Sequence, residues 1–196
     1  VLGITHIRLY DIDKSASKKA FANLSACGLN VIICNSVQEA VKGADIITTC
    51  TADKTNATIL TNDMIPQGVH INAIGGDCPG KTELDARLLE RANVFVEYEP
   101  QTRIEGEIQQ MSPSFTVTEF HNVINKQSLG RTSQDELTIF DGVGFASEDF
   151  TALVFIRDEL IKTGEFALLD LITQQADPRN LFSVLSDQPL VKEHVA

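Results

Sequence analysis

Short runs rich in Val and Ile alternate along the chain with segments whose apolar residues recur at helical spacing. Residues 7–10 form a β-prone run that ends in Asp11-Ile12-Asp13. Ala16, Ala20, Phe21 and Leu24 then recur at i, i+4, i+5 and i+8, which predicts a helix with Ser15 as N-cap and Gly28 as its stop. Residues 29–34 are apolar except for Asn30. Ser36 caps a short helix through Val41 that Gly43 stops, and residues 46–50 form the next strand. A polar loop, 51–56, leads to a helical turn at 62–65 that Pro66 and Gly68 terminate. Further strands are predicted at 69–74, 94–96 and 137–140, and helices at 85–91, 118–126 and 147–162. Between 96 and 118 the chain reads as a polar, surface-like stretch, with Glu97, Glu99, Glu105 and Glu107 on solvated faces.

Strands that alternate with helices, each strand a buried apolar run, indicate an α/β fold with a parallel sheet flanked by helices. From about residue 165 the character changes to a loose tail containing Asp177-Pro178-Arg179 and Asp187-Gln188-Pro189. The expected division is therefore one α/β unit over 1–165 and a separate segment over 166–196. The chain opens on Val1 without an initiator Met, and Val1-Leu2-Gly3-Ile4 reads as the end of a helix with Gly3 at its C-cap. That opening is expected of a segment cut from a longer chain.

Composition narrows the function. The 196 residues carry 16 Lys+Arg against 27 Asp+Glu, a formal net charge of −11, with no Lys/Arg-rich run. This balance argues against a nucleic-acid partner. No uncharged apolar stretch approaches the roughly 20 residues of a membrane-spanning helix. Cys27, Cys34, Cys50 and Cys78 are widely spaced, with no C-x-x-C pair and no His at ligand spacing. Reduced thiols in a cytoplasm are the simpler reading, and no metal site is expected.

In open α/β sheets, ligands bind outside the carboxyl ends of the strands. Asp11 follows the first strand, where an acid can accept hydrogen bonds from an adenosine ribose or simply cap the next helix. Thr51 heads the loop after residues 46–50 and reads on composition as a solvated turn. Gly75-Gly76-Asp77-Cys78-Pro79-Gly80-Lys81 is the most informative segment. Two glycines let backbone approach a flat ring, Asp77 could move a proton at an amine, and Lys81 could meet a phosphate or carboxylate. A turn built from Gly, Asp and Pro is the competing reading. Asp141-Gly142-Val143-Gly144 repeats the pattern more weakly.

Three longer stretches carry a resemblance: INAIGGDCPGKTEL at 71–84, FVEYEPQTRIEGEIQQ at 95–110, and DIITTCTADK at 45–54. With FDGVGFA at 140–146, they resemble the ornithine cyclodeaminase/mu-crystallin family over residues 1 to about 185, and Asp77-Cys78-Pro79-Gly80-Lys81 points to its cyclodeaminase branch. The resemblance implies a Rossmann-like, doubly wound parallel sheet that lacks its first strand and Gly-rich loop. Residues 166–196 would then return to a substrate and dimerisation domain.

The implied activity is conversion of L-ornithine to L-proline and ammonia in a cytoplasmic homodimer, with bound NAD acting as oxidant and then reductant. By the same resemblance Asp77 is the acid/base carboxylate, and Asp11 the ribose-binding acid. Thr51, Ile74, Gly75, Gly76, Lys81 and Gly142 contact NAD, and Asp77 and Val143 contact substrate. Gly142 departs from the pattern, which has Ser there. The family's substrate-carboxylate clamp and phosphate loop fall in a half not represented, so the segment alone is expected to be inactive. A related imine reductase or amino-acid dehydrogenase, and a non-catalytic ligand binder, are the alternatives.

Overall fold

A computed structural model of the chain describes residues 3–52 and 57–168. Val1, Leu2, residues 53–56 of the polar loop and the tail from 169 onward lie outside the described residues. The chain divides into two compact units, Val1–Gly144 and Phe145–Ala196.

The first unit begins with β1 (His6–Leu9), α1 (Lys14–Ala26) and β2 (Asn30–Ile33), the two strands pairing in parallel with His6 opposite Asn30. Helix α1 starts two residues ahead of the expectation. Asp13 rather than Ser15 is its N-cap, accepting from Ser15 N at 2.8 Å, because a carboxylate satisfies the free first-turn N–H groups at least as well as a hydroxyl. Ser36 caps α2 (Val37–Val41) as expected, accepting from Glu39 N at 3.1 Å.

A second sheet contains β3 (Ile46–Thr49), β4 (His70–Ala73), β5 (Asn93–Val96), β6 (Thr118–Glu119) and β7 (Thr138–Asp141). All pairs are parallel and the order is β3-β4-β7-β5-β6. Helix α3 (Ala86–Arg91) is capped by Asp85 and buries Leu88 and Leu89. The core joins these to Leu60, Leu84, Ile108 and the sheet residues Ile71, Ala73, Val96 and Ile139. Each such aliphatic side chain contributes about 1.5–3 kcal/mol on burial. This is the parallel α/β arrangement of a Rossmann-like fold.

Two elements depart from the sequence reading. The polar stretch after β5 contains α4 (Glu99–Glu105) and a 3-10 turn, Glu107–Gln110. Pro100 sits in the first turn of α4, where its missing N–H costs nothing. The predicted helix at 118–126 begins instead as strand β6, which pairs with Phe95 and Val96, leaving α5 only Phe120–Ile124. The second unit, in its described part, is α6 (Ala146–Thr163), closed by Gly164 in a left-handed conformation. Among the described residues no helix is long and apolar enough to cross a membrane.

Candidate active site

The parallel order brings the carboxyl ends of β3, β4, β7 and β5 side by side, and most of the predicted residues stand on this edge. Thr51 follows β3, Ile74 to Asp77 follow β4, and Gly142 and Val143 follow β7. The ladder continues past the strands, with Ile74 N donating to the Thr49 carbonyl and Gly142 N to the Ala73 carbonyl, both at 3.0 Å. Asp11 stands at the equivalent end of β1 on the smaller sheet, exposed, accepting from Asp13 N at 2.8 Å. That hydrogen bond stays within its own turn.

Lys81 ties three predicted residues together. Its side chain is 3% exposed, and Nζ donates to the Thr51 carbonyl at 3.0 Å and to Asp77 Oδ1 at 3.2 Å. Asp77 itself keeps 65% of its side chain in solvent. A buried cation thus fixes an accessible carboxylate at the sheet's edge, beside Ile74, which is half exposed.

Of the four acids expected on solvated faces, Glu97, Glu99 and Glu105 are partly buried and Glu107 is wholly so. Glu107 is fully buried and accepts from Glu83 N at 2.7 Å, Leu84 N at 3.0 Å and Gln110 Nε2 at 3.3 Å. Asp141, equally buried, accepts from Glu107 N at 2.8 Å and Ile108 N at 2.9 Å. Half-buried Glu97 accepts from Val143 N at 3.0 Å and Gly144 N at 2.7 Å. Glu83 accepts from Thr51 N at 3.0 Å and from Thr51 Oγ1. Four carboxylates therefore link the loops of the edge from Val143 across to Thr51. Burial pushes the Glu107 carboxyl up to about 8, against the lowering effect of the Glu83 and Leu84 amides. Burial likewise raises Asp141 to about 6, with the Glu97 charge adding to the effect.

Two glycines earn their place here. A methyl on Gly106 would lie 2.6 Å from Asp141 Oδ1, and one on Gly75 would lie 2.1 Å from Glu83 Oε2. The need for glycine at 75 is thus visible inside the protein. A signal was present in sequence: each acid either ends a strand or lies near a glycine, but hydropathy patterns do not see carboxylates whose partners are backbone N–H groups.

These residues fit a nicotinamide dinucleotide. The edge offers a half-exposed apolar side chain at Ile74 for a flat ring, an accessible carboxylate at Asp77 beside it, and an exposed acid at the end of β1 for ribose hydroxyls. A shallow cavity lined by Asn93, Thr118, Leu129 and Glu136 lies at the opposite, amino-terminal end of the strands and contains none of them.

The profile of the Ornithine cyclodeaminase/mu-crystallin family matches residues 1–164. The chain belongs to this family. An ornithine cyclodeaminase of Brucella melitensis is 54% identical over 185 residues, 94% of this chain and 52% of that protein. A solved lysine cyclodeaminase, described as recognising L-lysine, L-ornithine and L-2,4-diaminobutyric acid, superposes with a TM-score of 0.74 at 27% identity, over 89% of this chain and 52% of that one. An archaeal alanine dehydrogenase dimer with bound NAD gives a TM-score of 0.73 at 26% identity, over 86% of this chain and 53% of that one. The chain spans about half the length of these relatives.

Proposed function

We propose that this chain carries the cofactor and acid/base edge of an NAD-dependent ornithine cyclodeaminase, which converts L-ornithine to L-proline and ammonia. The observation that carries the reading is the Lys81 bridge, which fixes an accessible Asp77 carboxylate at the carboxyl end of β4 next to Thr51. The 54% identity to a cyclodeaminase supports the choice within the family. In this reading Asp11 holds the adenosine ribose, and Thr51, Ile74, Gly75, Gly76, Lys81 and Gly142 line the cofactor. Val143 and Asp77 meet the substrate.

Bound NAD supplies reversible oxidation of the amine-bearing α-carbon. The chain's own work is proton handling. An Asp77 oxygen takes a proton as the α-amine becomes an imine and releases it to solvent, from which the ring nitrogen of the product regains one; the freed carboxylate then takes a second proton as the δ-amine attacks that carbon. It returns this second proton to the departing nitrogen, which leaves as ammonia; the cycle is redox-neutral because NAD would serve as oxidant and then as reductant. Lys81 holds Asp77 in place, while Glu97 holds the Val143 backbone from the other side. The four free thiols fit a cytoplasm, and the relative described as an alanine dehydrogenase dimer supports a homodimer.

A dehydrogenase reading has its own support in the NAD-bound alanine dehydrogenase of the same fold. The two are separated by turning over L-ornithine with the whole protein. The cyclodeaminase makes L-proline and ammonia in equal amounts and no net NADH, whereas a dehydrogenase makes NADH in step with substrate consumed.

A further inference from the structure

Glu83 lies six residues beyond Asp77 and belongs to none of the roles above. Its side chain is almost wholly buried. One oxygen, Oε1, accepts from both Thr51 N (3.0 Å) and Thr51 Oγ1. The other, Oε2, is buried without a hydrogen-bond partner among the described residues. That oxygen lies where a side chain at position 75 would begin: a Cβ on Gly75 would be 2.1 Å from Oε2 and 2.2 Å from Cδ and Oε1. One carboxylate therefore touches the end of β3 and the end of β4 at once.

The residue is itself held from behind. Glu83 N donates to Glu107 Oε1 at 2.7 Å, and its carbonyl accepts from Ile59 N at 2.7 Å and Leu60 N at 3.1 Å. Burying a carboxylate with one oxygen unpartnered is costly. A site that needed only volume would be filled by Leu or Met. The cost is understandable if the carboxylate does something that an apolar side chain cannot, which is to fix a backbone N–H and a hydroxyl while leaving room only for glycine opposite.

We propose that Glu83 is a positioning residue for NAD: it sets the spacing between Thr51 and the Gly75 backbone, so that the ends of β3 and β4 present one preformed cofactor surface. This rests on the NAD-dependent reading above. Preorganisation of this kind appears in binding affinity, because the ordering is complete before the ligand arrives.

The test is NAD affinity by titration calorimetry, with thermal melting alongside, in the whole protein and its Glu83→Gln, Glu83→Ala, Gly75→Ala and Glu83→Ala/Gly75→Ala variants. Glu83→Gln and Gly75→Ala each weaken NAD binding by at least about tenfold, the size of one lost hydrogen bond to a charged group. In the double variant the methyl at 75 no longer meets a carboxylate, so Gly75→Ala costs much less on the Glu83→Ala background than alone. Unchanged affinity in both single variants, with or without a lower melting temperature, would overturn the assignment while leaving the cyclodeaminase reading intact. Failure of the unsubstituted protein to bind NAD would overturn both. If Glu83→Gln does not fold, Gly75→Ala and the double variant decide, and additive losses in the pair would count against the proposal.

Discussion

Lys81 Nζ stands 3.2 Å from Asp77 Oδ1, joining a side chain that is 3% exposed to one that is 65% exposed. An ion pair with one partner so open to water is worth at most about 1 kcal/mol. Its importance is geometric, since the same ammonium also holds the Thr51 carbonyl at 3.0 Å. Lys81→Met keeps the length and apolar stem but removes both bonds. We expect kcat/KM for L-ornithine to fall by at least about tenfold with only a small change in melting temperature. Steady-state kinetics and thermal melting on the same preparation check this, and unchanged kinetics would count against it.

Asp77→Asn keeps the shape and removes the proton acceptor. Turnover should fall by about 10²–10⁴-fold, the usual contribution of general acid–base catalysis. NAD affinity should stay within a few-fold of the parent, because the cofactor surface is built from Thr51 and the residues around Gly75. The split between kcat and NAD affinity is the measurement that matters.

Much of this site was legible in the sequence, and the part that was not has one cause. The positions of Thr51 and Asp77 at strand ends are legible because apolar runs stop at Thr or Gly, although Thr51 reads on composition as a solvated turn and only the family resemblance gives it a cofactor role. The structure joins Thr51 and Asp77 through the Lys81 ammonium. Glu107 reads in the sequence as solvated and is fully buried in the structure. A buried carboxylate bonded to main-chain N–H groups looks in sequence like any surface acid, since its partners carry no residue signature. Helix α4 was missed for a related reason: it is two turns long, its first turn holds Pro100, and its buried residue is Thr102 rather than an aliphatic. Asp13 taking the cap from Ser15 is a smaller case of two equivalent acceptors in adjacent positions.

The buried acids predict a definite pH dependence of stability. Glu107 and Asp141 hold their protons more tightly in the folded state, at about 8 and about 6, than their ordinary values of 4.5 and 3.8. The stability tied to these protons is full below the ordinary values. It is lost as pH rises through about 6 for Asp141 and about 8 for Glu107, in total on the order of a few kcal/mol. Glu107→Gln sets an amide nitrogen against N–H donors and lowers stability at neutral pH by about 1–3 kcal/mol. It also removes the decline between about pH 6 and 8. Chemical denaturation across this range reads both effects, and an unaltered slope would contradict the assignment of that decline to Glu107.

Gly106→Ala tests the carboxylate chain from another side. The backbone at 106 has φ −89°, which any residue adopts, so the only penalty is collision. The added methyl would lie 2.4 Å from Thr102 Cγ2 and 2.6 Å and 2.8 Å from the two Asp141 oxygens. Destabilisation of about 2 kcal/mol or more is expected, read as a lower denaturation midpoint. Full stability in this variant would mean that Asp141 is free to move.

The cyclodeaminase reading is tested most directly by the products made from L-ornithine by the whole protein in the presence of NAD. L-Proline and ammonia formed one to one, with no accumulation of NADH, is the predicted result. NADH rising in step with ornithine consumed, or no L-proline at all, would contradict it.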